Sequence, residues 1–177
     1  MPRDEIHGLA HVLRVRKLAL EIARHTNESI DLEVLEIAAL LHDIGRLQSN
    51  ENHARISAEI ARLLLELINY PEEKIKKVVN AILAHSFSER VEPKCIEAQI
   101  LSDADKLDAL GAIGIARVIA YGESVGRSFC EDLKHFKEKI LKLKNLMYTN
   151  YGKTLANRKS RIVEKFIEEF ERELGEC

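Results

Sequence analysis

Residues 31–46 read DLEVLEIAALLHDIGR, and this stretch decides both the fold class and where chemistry is to be sought. Val34, Leu35, Ala38, Ala39 and Leu41 recur at steps of three and four, the period of one buried helix face. Asp31 stands where an N-cap belongs, and Gly45 is the expected stop. His42 extends the apolar stripe, so its imidazole is predicted to point inward. Asp43 follows at once, and an ionised carboxylate is seldom buried unless it is paired or bound to a cation. Taken alone, such a pair reads as a core histidine beside a helix-terminal aspartate.

Working outward, the same period recurs along the chain. Val12, Val15, Ala19, Ile22 and Ala23 mark a helix from about Gly8 to His25. A third is predicted from about Asn52 to Ile68, with Ile56, Ile60, Leu63, Leu64 and Leu67 inward. NYPEEK opens a fourth, Pro71 suiting its first turn, with Ile75, Val78, Val79 and Ile82 behind it. Pro93 to Tyr121 reads as one or two helices with a break near Gly111 and Gly114. Helices from about Cys130 to Met147 and from about Thr154 to Leu174 complete the set. No segment alternates with period two, and no repeat is evident. The expectation is an all-α fold, a compact single-domain bundle of about seven to eight helices spanning residues 1–177.

Bulk properties agree. Three prolines, no tryptophan and few aromatics in 177 residues suit helices joined by short loops. A net charge of −2 supplies no basic field for nucleic acid, so no nucleic-acid partner is expected. The lysines between Lys134 and Lys144 suit the wet side of an amphipathic helix. No run approaches the roughly 18 uncharged apolar residues of a membrane span. MPRDEIHG is charged and does not read as a secretory signal. Cys95, Cys130 and Cys177 lack metal-knuckle spacing and read as reduced thiols in a cytoplasmic protein.

Three features lift His42 and Asp43 above the ordinary reading. His11 lies on the face of its helix that carries Val15, Leu18 and Ile22, a second histidine aimed at the core. LSDADKLDALGAIG, residues 101–114, sets Asp103, Asp105 and Asp108 in otherwise apolar surroundings. Third, the groups come from three separate helices. Two imidazoles and two carboxylates suit a divalent cation (Mn, Fe, Co, Ni, Zn or Mg) with coordination positions left open. Gly111 and Gly114 follow no predicted strand, so a phosphate-cradling loop is not expected there.

HVLRV at 11–15, LLHDIG at 40–45 and DADKLDALGAIGIAR at 103–117 together resemble the three blocks of the HD-domain metal-dependent phosphohydrolases. The likeness is greatest to the small single-domain branch that includes nucleoside-triphosphate pyrophosphohydrolases. It extends to His7, to HSF at 85–87, to AYG at 120–122, and to Val163, Phe166, Glu169 and Phe170 in the terminal run. The resemblance implies one divalent metal ion held by His11, His42, Asp43 and Asp105. It makes Asp103 a helix cap or paired surface acid, Asp108 a group orienting a ligand or pairing with Lys106, and His7 a pocket residue. His53 and His85 become substrate or ligand-orienting groups. His25 and His135 sit in polar stretches and read as ordinary surface residues.

The chemistry this implies is hydrolysis of a nucleotide or related phosphate ester by metal-activated water. A bound cation polarises a phosphoryl oxygen and lowers the pKa of a water from about 15.7 toward neutrality. Asp43 or Asp108 would accept the proton, and Lys106 would offset charge on the phosphoryl oxygens. Arg14, Arg46, Lys106 and Arg117 are the candidate phosphate contacts, Arg46 and Lys106 foremost. Two rivals are a di-iron oxygenase, which needs His53 and His85 on a second metal, and a non-catalytic nucleotide-sensing module. The lysine-rich and C-terminal helices could also build a homodimer face, though a solvated face is the commoner outcome.

Overall fold

The structure, a computed structural model, describes residues 8–49, 51–86, 91–175 and 177; the expectations for His7 and Phe87 lie outside them. All regular structure among the described residues is helical, with no strand. Eight α-helices follow in order: α1 (Leu9–Arg24), α2 (Leu32–Leu41), α3 (His53–Leu67), α4 (Glu72–His85), α5 (Ile96–Asp108), α6 (Gly111–Ser124), α7 (Phe129–His135) and α8 (Asn150–Leu174). A 3-10 turn, Ile44–Leu47, joins α2 to α3. None of the described helices is long and apolar enough to cross a membrane. The chain falls into two compact units, residues 1–105 and 106–177, whose boundary lies inside α5.

In the first unit, α1 buries Val12, Val15, Ala19, Ile22 and Ala23 against α2, whose own buried face is Val34, Leu35, Ala38 and Ala39. Asp31 caps α2 as its position predicts, its carboxylate accepting from the Val34 amide at 3.2 Å. The Asp31 amide in turn donates to buried Glu97 of α5, at 2.9 Å.

Three local expectations fail here. Gly45 does not end α2, which stops at Leu41; it sits within the 3-10 turn. There a Cβ would lie 2.7 Å from the Ser57 amide nitrogen, so backbone proximity to α3 demands glycine. The Gly45 amide donates to Ser57 Oγ at 2.9 Å. Pro71 occupies the N-cap of α4, one residue outside the helix. The third failure concerns α3, whose inward face is His53, Ala54, Ser57, Ala58, Ala61 and Leu65. Leu63, Leu64 and Leu67 face solvent, Leu67 at 79% exposure, and Ile56 and Ile60 are half-buried. Small residues face inward because α3 lies against both α4 and the Gly45 turn.

The second unit shows the break predicted between α5 and α6, at Leu110, with Gly111 taking a positive φ of 74°. The segment expected as one helix from Cys130 to Met147 changes pitch. α7 starts from a Ser128–Glu131 capping box, then widens over Phe136–Ile140 and tightens over Leu141–Leu146. α8 begins earlier than expected, capped by Thr149, whose hydroxyl accepts from the Gly152 amide at 3.0 Å. Phe129 and Phe136 meet Phe170 and Phe166 of α8 at ring-centroid distances of 5.3 and 5.5 Å. This brings Cys177 to Cys130, and the two are disulfide-bonded with Cα atoms 5.5 Å apart. The reading of three reduced thiols is therefore corrected; only Cys95 is free. A 47-residue separation hides such a pair until α8 returns along α7. Lys137 and Lys144 pair with Glu171 and Glu164 of α8, in keeping with a solvated charged face.

Candidate metal centre

His11 lies in the first turns of α1, His42 and Asp43 just past α2, His53 at the start of α3, His85 at the end of α4 and Asp105 on α5. Each histidine is buried by the apolar stripe it belongs to, and the stripes of α1 to α4 turn all four rings inward. The ring centroids of His42 and His85 are 4.9 Å apart, those of His11 and His42 5.3 Å, and those of His53 and His85 5.5 Å.

Asp43 stands at the centre, nearly without solvent exposure. Its Oδ2 lies 3.5 Å from His11 Nε2 and 3.9 Å from His42 Nε2. Its Oδ1 lies 3.5 Å from His53 Nε2 and 3.7 Å from His85 Nε2. Asp105 Oδ1 is 3.4 Å from His11 Nε2, and the His11 and His42 Nε2 atoms are 3.3 Å apart. Two groups thus offer three mutually close ligand atoms each: His11, His42 and Asp43, and Asp43, His53 and His85.

Tautomers follow from the helix ends. His42 Nδ1 lies 2.8 Å from the Ala39 carbonyl, and His85 Nδ1 2.5 Å from that of Ile82. Carbonyls only accept, so each Nδ1 carries the proton, and in the neutral ring Nε2 presents a lone pair to the centre. Burial pushes His42 down to about 4, with Asp43 pulling the other way, so its ring is neutral at pH 7. Burial would raise the Asp43 carboxyl, but His85, His42 and Arg46 hold it far below the usual carboxylate range. Burial would raise Asp105 as well, but His11, His85 and His42 together hold it well below the usual carboxylate range.

These donors fit a cation. Asp43 Oδ1 is buried with no hydrogen-bond partner and lies 3.5 Å from His53 Nε2 and 3.7 Å from His85 Nε2. A buried carboxylate oxygen without a donor is costly, and a divalent ion removes that cost. Mixed imidazole and carboxylate donors suit first-row metals.

A family model for the HD domain matches residues 8–110. The chain belongs to the HD-domain family. It is 32% identical over 176 residues to the uncharacterized protein YpgQ of Bacillus subtilis, covering 95% of this chain and 84% of that one. The structure of YpgQ in complex with ADP superposes with a TM-score of 0.80 at 28% identity, covering 96% of this chain and 87% of that one. An HD-superfamily hydrolase from Bacillus thuringiensis superposes with a TM-score of 0.74 at 37% identity, covering 93% and 85% of the two chains.

Within this HD-domain chain, the structure draws His11, His42, Asp43 and Asp105 together and adds His53 and His85 to them. The closeness of the last two to Asp43 was readable only in part. His85 continues the buried Ile75, Val78 and Ile82 stripe of α4, whereas His53 lies on the small-residue face of α3. Arg46 reaches back along the 3-10 turn, its Nε 2.6 Å from Asp43 Oδ2 and its Nη2 3.1 Å from His53 Nε2. Arg14 is half-buried on α1. In the second unit, Lys106 lies 5.2 Å from the Tyr148 ring centroid, and Asp108 accepts from Arg117 at 2.7 Å. Asp103 is no surface acid: it is fully buried in mid-α5. The resemblance, in giving the ligand role to Asp105, left Asp103 to the surface, whereas its helix neighbours Leu101, Ala104 and Leu107 are all buried.

Proposed function

We propose that this HD-domain hydrolase is a metal-dependent phosphohydrolase acting on a nucleotide or related phosphate ester. Nucleoside triphosphate to monophosphate and pyrophosphate is the sharper form. The observation that carries it is Asp43, a buried carboxylate without a hydrogen-bond partner on Oδ1 and ringed by four imidazoles. His11, His42, Asp43 and Asp105 would hold one divalent ion. When bound, that ion supplies Lewis acidity toward a phosphoryl oxygen and makes water a competent nucleophile near neutral pH.

The side chains do the rest. His42 and His85 turn Nε2 to the centre because their Nδ1 protons are anchored on backbone carbonyls, and burial keeps the His42 ring neutral, so it need not shed a proton to serve as a ligand. Asp43, kept ionised, is the group best placed to accept a proton from an attacking water. Arg46 and Arg14 offer positive charge for phosphoryl oxygens, and Lys106, next along α5 from Asp105, is the third candidate. The preference for a nucleotide is supported by the ADP complex of YpgQ.

The test is turnover. Protein loaded with Mn²⁺ is incubated with a panel of nucleoside triphosphates, and phosphate and pyrophosphate are measured separately. Release of pyrophosphate is expected, with His42→Ala or chelation lowering the rate by about 100-fold or more. Activity that survives both ends the proposal. A second reading, a di-iron oxygenase, has one observation in its favour, the Asp43, His53 and His85 group. It requires two irons per chain by elemental analysis.

A further inference from the structure

The two ligand groups share Asp43, which turns one oxygen to each. What separates them is Arg46. Its guanidinium donates from Nε to Asp43 Oδ2 at 2.6 Å and from Nη2 to His53 Nε2 at 3.1 Å. The second contact engages the same ring nitrogen that His53 would offer a metal in the Asp43, His53 and His85 group. An arginine keeps its charge at all accessible pH, and its planar fork can hold a carboxylate and a ring nitrogen at once.

We infer that Arg46 takes the place of a second metal ion, limiting this centre to one divalent cation. The inference rests on the proposed metal centre and deepens it by fixing its stoichiometry. Charge points the same way. One divalent ion balances Asp43 and Asp105, and Arg46 then leaves the cluster at about +1. A second divalent ion beside an intact Arg46 would raise that to about +3 within a few ångströms, without a further carboxylate from these six residues. His53 Nε2 would also have to give up its donor. Arg46 is in this sense a positioning residue. It orients Asp43 toward His11 and His42, and it denies His53 to a metal.

The experiment counts ions. Chain stripped with chelator is dialysed against excess Mn²⁺, bound metal per chain is measured by elemental analysis, and the electron paramagnetic resonance spectrum is recorded. The wild-type chain is expected to bind one ion and to show an isolated Mn²⁺ signal. Arg46→Ala and Arg46→Met, the latter keeping the aliphatic bulk of the stem, are expected to bind two. Their spectra should show the exchange coupling of neighbouring ions. Arg46→Lys, which retains the charge, stays at one, and Arg46→Met combined with His53→Ala returns to one. Two ions in the wild-type chain overturn the inference without any variant, and so does a folded Arg46→Met that still binds one. Should Arg46→Ala not fold, as judged by circular dichroism, Arg46→Met decides. A wild-type chain that binds one ion yet hydrolyses no phosphate ester removes the proposed activity while leaving the role of Arg46 standing. One that binds no metal removes both.

Discussion

Asp43 is reached from both sides, by His11 and His42 at one oxygen and by His53 and His85 at the other, and its ionisation depends on what surrounds it. His42 makes the electrostatic consequence measurable in the metal-free chain. Its folded value of about 4 lies below the 6.5 of an exposed histidine, because burial penalises the charged ring. Between those values the unfolded chain binds the proton that the folded chain refuses, so stability rises with pH across the window and is lost as pH falls through it. Asp43 and Asp105, also lowered, add to acid loss only below their ordinary value of 3.8. Chelator-stripped protein is therefore expected to lose up to roughly 3 kcal/mol from His42 between pH 7 and 4. Thermal unfolding at a series of pH values checks this, and His42→Leu should flatten that part of the slope.

Among the elements, α3 is the one whose packing runs against its hydrophobicity. Its core face is built from Ala54, Ser57, Ala58 and Ala61, while Leu63, Leu64 and Leu67 lie outside. Ala61→Leu should overpack the contact with α4 and cost about 1–3 kcal/mol. Leu67→Ser, a larger chemical change at an exposed site, should stay within about 0.5 kcal/mol. Denaturant midpoints of the two variants separate the faces. The same contrast explains what was legible from residues alone. In α1 and α2 the large and β-branched residues do face the core, so periodicity located both the helices and His11, His42 and Asp43. In α3 both faces repeat at steps of three and four, and only the closeness of the Gly45 backbone selects the small one. Arg46 could be read as a cation near Asp43, but its bridge to His53 depends on how the 3-10 turn curls, which no spacing encodes. Asp103 was misread because the resemblance gave the ligand role to Asp105 and left its neighbour to the surface, although the residues around it are apolar.

Over the molecule as a whole, two long-range constraints bear on stability. The first is the Cys130–Cys177 bond, which closes a loop across α7 and α8. Removing it with Cys130→Ser should cost about 2–4 kcal/mol through the freedom returned to the unfolded chain, read as a lower midpoint under non-reducing conditions. The second is linkage: an ion that binds only the folded chain stabilises it by about 2.7 kcal/mol at 100 times its dissociation constant. That gain should not be spread evenly. His42 and His85 each donate an Nδ1–H hydrogen bond to a carbonyl three residues back, those of Ala39 and Ile82, groups that a helix end would otherwise leave to water. Fixing the rings therefore closes off the last turns of α2 and α4 against fraying. Amide deuterium uptake at these two termini should slow on adding metal by more than it does in the middle of α1.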